Sequence, residues 1–315
     1  MALDTAPLLD RQKKFALALE TTTGTRATLA AADGVTPFFE ASIEPAFEQV
    51  ERPNVEDLSP QVMRHGQRPA TVRFSHELYG AATMPVWGRA LQACGYEPTS
   101  KVFKPVTGAT KTLSFGLYRP GRTKFALGCM GTGTLVLPRG RPAIWDWTFS
   151  GVFDRPDATA LTSPTYDTVT PPHVGAISFA IGTGDRITVP EIEIDLGNNV
   201  VYREDITGVD SSGDPTGIRA AYIAGRSPRI RIKPEALSLA ARDWFAIHRN
   251  LTTVAFTVTI GAGANAVVIS APALQLVNAP AEENDNGMLR DGLEFMPTRG
   301  ALGNDDLVFD FTALA

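Results

Sequence analysis

The stretch AIWDWTFSGVF (143–153) places Trp145, Trp147 and Phe149 on one side of an extended chain and Asp146, Thr148 and Ser150 on the other. Alternation with period two over this length reads as a half-buried strand of an antiparallel sheet. The same period recurs on both sides of it. KKFALALE (13–20) aligns Phe15, Leu17 and Leu19, and ATVRFSHEL (70–78) aligns Val72, Phe74 and His76. KTLSFGLYRPGRTKFALGCM (111–130) reads as a hairpin turning at Arg119-Pro120-Gly121-Arg122. EIEIDLG (191–197) sets Ile192, Ile194 and Leu196 against Glu191, Glu193 and Asp195. VAFTVTIGAGANAVVISAPALQLV (254–277) reads as another hairpin, turning at 261–265. The chain is therefore expected to be mainly β.

Two segments carry helical spacing. TMPVWGRALQACGY (83–96) has Thr83 as N-cap, Pro85 in the first turn and Gly95 as a stop, which predicts a helix over about 84–95 with Trp87 and Leu91 in the core. PEALSLAARDWFAIHRN (234–250) predicts a second helix over about 235–248, with Trp244 and Phe245 in the core. These helices expose a repeat. Gly66, Pro69 and Glu77 before the first match Gly225, Pro228 and Glu235 before the second, and a hairpin follows each helix. A shared order at a period of half the chain argues for duplication. The expected organisation is two tandem β-sandwich or barrel domains, 1–160 and 174–315, each flanked by one helix. Residues 161–173 are the linker, within the Pro-, Thr- and Ser-rich stretch 155–173.

Composition limits the function. The chain has 315 residues and a net charge of −5. Residues 1–170 hold 18 Lys and Arg against 16 Asp and Glu, a net of +2; residues 171–315 hold 11 against 18, a net of −7. A basic nucleic-acid-binding patch is not indicated. No apolar run is long enough to span a bilayer, and MALDTAPLLDRQKK (1–14) puts acids before bases, the reverse of a secretory signal. The expectation is a soluble protein made in a cytoplasm. Cys94 and Cys129 read as small buried side chains rather than a disulfide framework.

Motifs for chemistry fail on context. GAGANA (261–266) fits a dinucleotide fingerprint but lies between two strands, where no helix N-terminus meets a pyrophosphate. His65, His76, His173 and His248 have no second His or Cys at ligand spacing, and His76 and His248 read as packed side chains. APAEENDNGMLRDGLEF (279–295) resembles a calcium loop. With Gly287 at the glycine position, position twelve is Leu293 instead of Glu, and the flanks are not helices. A solvated acidic excursion is the reading that fits. No enzyme, cofactor or metal is expected.

The order of ETTTGTRATLAAADGV (20–35), GQRPATVRFSHELYG (66–80), TMPVWGRALQACGY, GTGTLVL (131–137) and WDWTFSGVF (145–153) resembles the major tail tube proteins of long-tailed bacteriophages. The second half resembles the same family again, and the closing GLEFMPTRGALGNDDLVFDF (292–311) resembles its last strand pair. The resemblance implies subunits that form rings, and rings that stack into a hollow tube around a tape-measure protein. It implies a virion tail component assembled in the host bacterial cytoplasm, with terminator and distal tail proteins at its ends. DNA would pass through without sequence-specific binding, and no membrane is involved. Family members usually have one domain in a six-membered ring; a duplicated chain would build that ring from three copies. Glu191, Glu193 and Asp195 are then candidates for the lumen. Glu48, Glu51, Arg52, Glu56, Asp57 and Arg64, in the long segment 44–69, are candidates for ring-to-ring contact. A tail terminator or baseplate hub of related fold, and a carbohydrate-binding β-sandwich, are the alternative readings.

Overall fold

The structure is a computed structural model that describes residues 12–35, 38–52, 61–79, 84–108, 111–161, 163–166, 170–172, 174, 178–181, 187–261, 266–301 and 303–311. Its first half runs β1 (Lys14–Leu19), β2 (Phe38–Pro45), β3 (Gln49–Val50), β4 (Arg64–His65), β5 (Pro69–Glu77) and α1 (Gly88–Ala93). β6 (Tyr96–Thr99), β7 (Val102–Pro105), β8 (Leu113–Arg119), β9 (Arg122–Pro138) and β10 (Ile144–Asp157) follow. Its second half runs β11 (Ser178–Ile181), β12 (Glu191–Asp195), β13 (Asn198–Glu204), β14 (Ile218–Arg226), β15 (Arg229–Ile232) and α2 (Trp244–Arg249). It closes with β16 (Thr253–Ile260), β17 (Val267–Leu276), β18 (Ala281–Asp285), β19 (Met288–Pro297) and β20 (Val308–Asp310). The protein is mainly β, as the alternation predicted, and its packing is that of a sandwich.

In the first half the strands lie in the order β1-β8-β9-β10-β5-β2, each neighbour antiparallel. In the second the order is β11-β16-β17-β19-β15-β12, again antiparallel throughout. Between the second and first outermost positions of each order a two-stranded ribbon is inserted: β3–β4 between β2 and β5, β13–β14 between β12 and β15. The halves share one hydrogen-bonded sheet, because β12 adds to the free end of β9 with Ile194 opposite Leu135 and Ile192 opposite Leu137. β20 ties them a second time, pairing β17 on one edge and β7 on the other.

Aromatic side chains show why the sheet curls. Phe15 on β1 and Phe74 on β5 are separated by three strands in the sheet order, yet their rings stand 4.9 Å apart. Phe115 and Phe149 complete the cluster at 5.0 Å. Burying these four rings against one another brings the two ends of the first-half sheet face to face. Trp147 and Phe149 stand opposite Gly133 and Gly131. A Cβ at Gly133 would lie 2.3 Å from the Trp147 ring and one at Gly131 2.5 Å from that of Phe149, so glycine there is a packing requirement of β9.

Both helices are shorter than predicted. α1 keeps Trp87 and Leu91 fully buried, and the Trp87 indole N–H donates to the Tyr79 carbonyl at 3.2 Å. The predicted cap, Thr83, lies outside the described residues. The second helix begins at 244, not 235. Residues 234–236 bond to other segments, with Glu235 N–H donating to the Thr188 carbonyl and Ala236 N–H to that of Leu289 on β19. Asp243 then caps the helix, its carboxylate accepting from Ala246 N–H at 2.8 Å. Trp244 is buried, but Phe245 is 48% exposed and is not a core residue. With a single turn and a half available, only one of two adjacent aromatics can face the sheet. No described helix is long and apolar enough to cross a membrane.

Candidate functional site

Strands β2, β5, β10, β9, β12, β15 and β19 lie side by side, so their outward residues form one face across both halves. Alternation dictates what it carries: the partners of Trp147 and Ile194 point in, and hydroxyls and charges point out. The outward charges include Glu40, Glu44, Asp146, Glu191, Glu193, Asp195 and Glu294 against Arg73, Arg229 and Arg231. Thr132, Thr134 and Thr148 lie among them.

The three acids singled out in the sequence do share the outward face of β12. They are not a bare acidic stripe. β15 lies alongside, and Arg231 bonds Glu193 at 2.6 Å while Arg229 and Arg231 reach Glu294 at 3.3 and 3.5 Å. Asp195 accepts from Gly197 N–H at 2.9 Å. Such exposed pairs contribute about 0–1 kcal/mol each, so they shape the surface potential more than the stability.

The ribbons treat their surroundings differently. β13–β14 lies across β9 and β10 of the first half. Ala220 packs where a Gly128 side chain would go, Tyr202 hydrogen-bonds Ser150, and Ser211 gives both its N–H and its hydroxyl to Asp154 at 3.0 and 2.7 Å. Arg68 at the base of the other ribbon reaches Asp210 at 3.3 Å. Around β3–β4, Val50, Val62 and Met63 are exposed, and the half-exposed Phe47 rests edge-on against Phe153 at 5.5 Å. Of the residues singled out there, Glu48 accepts from Gln67 N–H at 3.0 Å, Glu51 and Arg52 are exposed, and Arg64 stands opposite Val50. Glu56 and Asp57 lie outside the described residues.

The acidic stretch 281–297 is a hairpin, β18–β19, turning at Asn286-Gly287 with both φ positive, as a two-residue turn requires. Two carboxylates near its turn are each held by one cation: Asp285 by Arg290 at 2.7 Å and Glu283 by Lys233 at 2.8 Å. Among the described residues no group of three or more His, Cys, Asp and Glu converges as a metal site.

Sequence reasoning missed three features. EASIE (40–44) has the same phase as EIEID (191–195), with Ala41 and Ile43 buried as Ile192 and Ile194 are; comparing the halves at an offset of 151 would have found it. Arg229 and Arg231 were legible as alternating residues, but their strand's neighbour was not. Glu20 left no sequence signal. Its buried carboxylate accepts from Gly24 N–H, Thr112 and Ser114 hydroxyls and Gly128 N–H at 2.6–2.8 Å, where β9 passes from β8 to β12.

The described surface thus offers a charged, hydroxyl-rich sheet face, strand edges and a ribbon with exposed apolar residues. No curated protein matches the chain. A family model described as phage tail tube protein matches residues 11–312. Nearly the whole chain, both halves included, thus belongs to the phage tail tube proteins, structural components of the virion tail that self-assemble into a tube.

Proposed function

We propose that the chain is a tandem duplication and that three copies close into a ring of six equivalent units, stacked to form the conduit for DNA. The observation that carries this is the strand order common to the halves, down to the place where each ribbon is inserted. Register supports it: Ser42 faces Arg73 on β5 as Glu193 faces Arg231 on β15. Each unit supplies four strands to the outward face: β2, β5, β10 and β9, then β12, β15, β19 and β17 with its continuation β18. At about 4.8 Å per strand, three chains give a perimeter of roughly 115 Å, a bore about 37 Å across at the backbone before tilt widens it. The polar face lines that bore. Acids outnumber bases on it, so passing phosphates meet no binding surface. The tape-measure protein occupies the same bore during assembly in the host cytoplasm, and terminator and distal tail proteins close its ends. The charge difference between halves, +2 against −7, suits a ring in which first and second units alternate.

The test is the mass of isolated rings, or the symmetry of a tube seen end-on. Three chains per ring are expected. Six whole chains per ring would overturn the proposal.

A further inference from the structure

We propose that neighbouring chains join by copying the joint that already exists inside each chain: the free edge of β2 adds to the free edge of β18, and the ribbon β3–β4 of the incoming chain lies in a groove beside β19. This rests on the duplicated ring proposed above and names the surfaces that build it.

The internal joint has two parts. β12 pairs β15 on one edge and β9 on the other, and the ribbon inserted after β12 lies across β9 and β10. Each part has an open counterpart. β2 corresponds to β12, since both precede a ribbon and pair the strand that follows it. Among the described residues β2 pairs β5 alone. Its outer edge carries the backbone groups of Ala41 and Ile43. Ala46 N–H donates to Pro69 on β5, and alternation turns odd-numbered residues the other way.

The receiving edge follows from register. Phe149 stands opposite Val72 as Phe295 stands opposite Ile230, which matches β10 to β19. Ile144 faces Val136 and Arg290 faces Glu283, so Val136 corresponds to Glu283 and β18 continues β17 as the end of β9 continues its start. β9 uses that position to hold β12. β18 pairs β19 alone among the described residues, and all five of its residues are exposed. The new joint therefore sets Ser42 of one chain opposite Glu283 of the next, as Glu193 stands opposite Val136.

Charge at Lys124 fits the pairing; the same register sets Glu40 opposite Asp285, whose charge Arg290 already meets at 2.7 Å. The Ile43 carbonyl on the β2 edge is held by Lys124 Nζ at 3.3 Å, with Arg119 and Arg122 close by. β18 brings Glu282, Glu283 and Asp285. In the free chain a lysine at one edge and acids at the other guard both against indiscriminate pairing; brought together, they attract.

The ribbon also has a seat. Ser150, Gly151 and Phe153 on the first-half wall correspond by the same register to Met296, Pro297 and Arg299. Those three line a groove of about 690 Å³ that also runs past Tyr222 and Arg226. β13–β14 fills the equivalent space in the first half, and the exposed Val50, Val62 and Met63 are the apolar residues that β3–β4 would bury there. This aims β3–β4 at the neighbour within the ring.

Cysteines test the strand joint in assembled tubes. Leu196 N–H donates to Gly133, so Glu193 and Val136 form a non-hydrogen-bonded pair, whose Cα spacing of about 4.5 Å suits a disulfide. Full-length chain carrying Ser42→Cys and Glu283→Cys is assembled, oxidised and run without reductant. Linked dimers and trimers are expected, and the control Glu193→Cys with Val136→Cys should close within one chain. Tubes of normal diameter in which the control closes and the first pair never links would overturn the joint. Linked species reaching six chains would support the joint and overturn the three-chain ring. Glu282→Pro gives a second readout. Residue 282 turns its N–H to the free edge, so proline there spares the β18–β19 ladder. Wild-type thermal stability with loss of tube assembly is expected; wild-type tube yield would overturn the joint.

Discussion

His76 should make the fold acid-sensitive in a range where its replacement does not. The side chain is fully buried, ringed by Phe74, Tyr79, Trp87 and Trp147 at 5.5–6.5 Å. Nδ1 donates to the Glu77 carbonyl at 2.8 Å, and Nε2 accepts from the Trp147 indole at 2.9 Å. That network needs the neutral ring. Burial pushes its pKa from 6.5 down to about 4, against a smaller opposing pull from the Glu77 carbonyl. Above pH 6.5 neither state binds the proton and the stability is complete. Between 6.5 and 4 the unfolded chain binds a proton that the folded chain refuses, so stability falls with pH. At about 1.4 kcal/mol per unit, going from pH 7.5 to 4.5 removes roughly 2.5 kcal/mol. His76→Gln keeps an acceptor for Trp147 and a donor for Glu77 but does not titrate. Urea unfolding of the unassembled protein, followed by tryptophan fluorescence at both pH values, measures the difference. Carboxylates titrate alike in both proteins and cancel. The wild type should lose about 2.5 kcal/mol more than the variant. A difference between the two that stays constant within about 0.5 kcal/mol across this range would refute the reasoning.

Gly133→Ala drives a methyl into the Trp147 ring and should cost about 1–3 kcal/mol by overpacking; an unchanged melting temperature would contradict the glycine's role. Glu20→Ala strands four donors where β9 branches and should cost several kcal/mol, at about 1–3 for each unsatisfied buried group, with Glu20→Gln costing less. Trp244→Ala should cost about 3–5 kcal/mol, whereas Phe245→Ser should stay within about 0.5; equal losses in chemical denaturation would place both in the core. Lysine at 191, 193 and 195 puts three cations beside Arg229 and Arg231, and DNA ejection should slow. Normal tails with unchanged ejection would remove these residues from the bore.

The strands of this protein were legible because period-two alternation is a local property. Lys14–Leu19, Pro69–Glu77 and Glu191–Asp195 could each be read from their own residues, as could the Pro120-Gly121 turn. The second helix was overdrawn because helical spacing over 235–243 says nothing of the strand that claims Ala236. Similarly, alternation put the acids at 191, 193 and 195 together on the polar side of their strand, but Arg231 lies 38 residues from Glu193 in sequence, and only the register between strands brings them together.

The sequence by itself determined the class of fold and the family, because burial pattern and motif order are written along the chain. Tertiary structure alone decided which edges are closed and which are open. Strand pairing is a relation between distant segments, and β9 looks no different in sequence where β8 leaves it and β12 takes over. A free edge exists only once the other edges have found their partners.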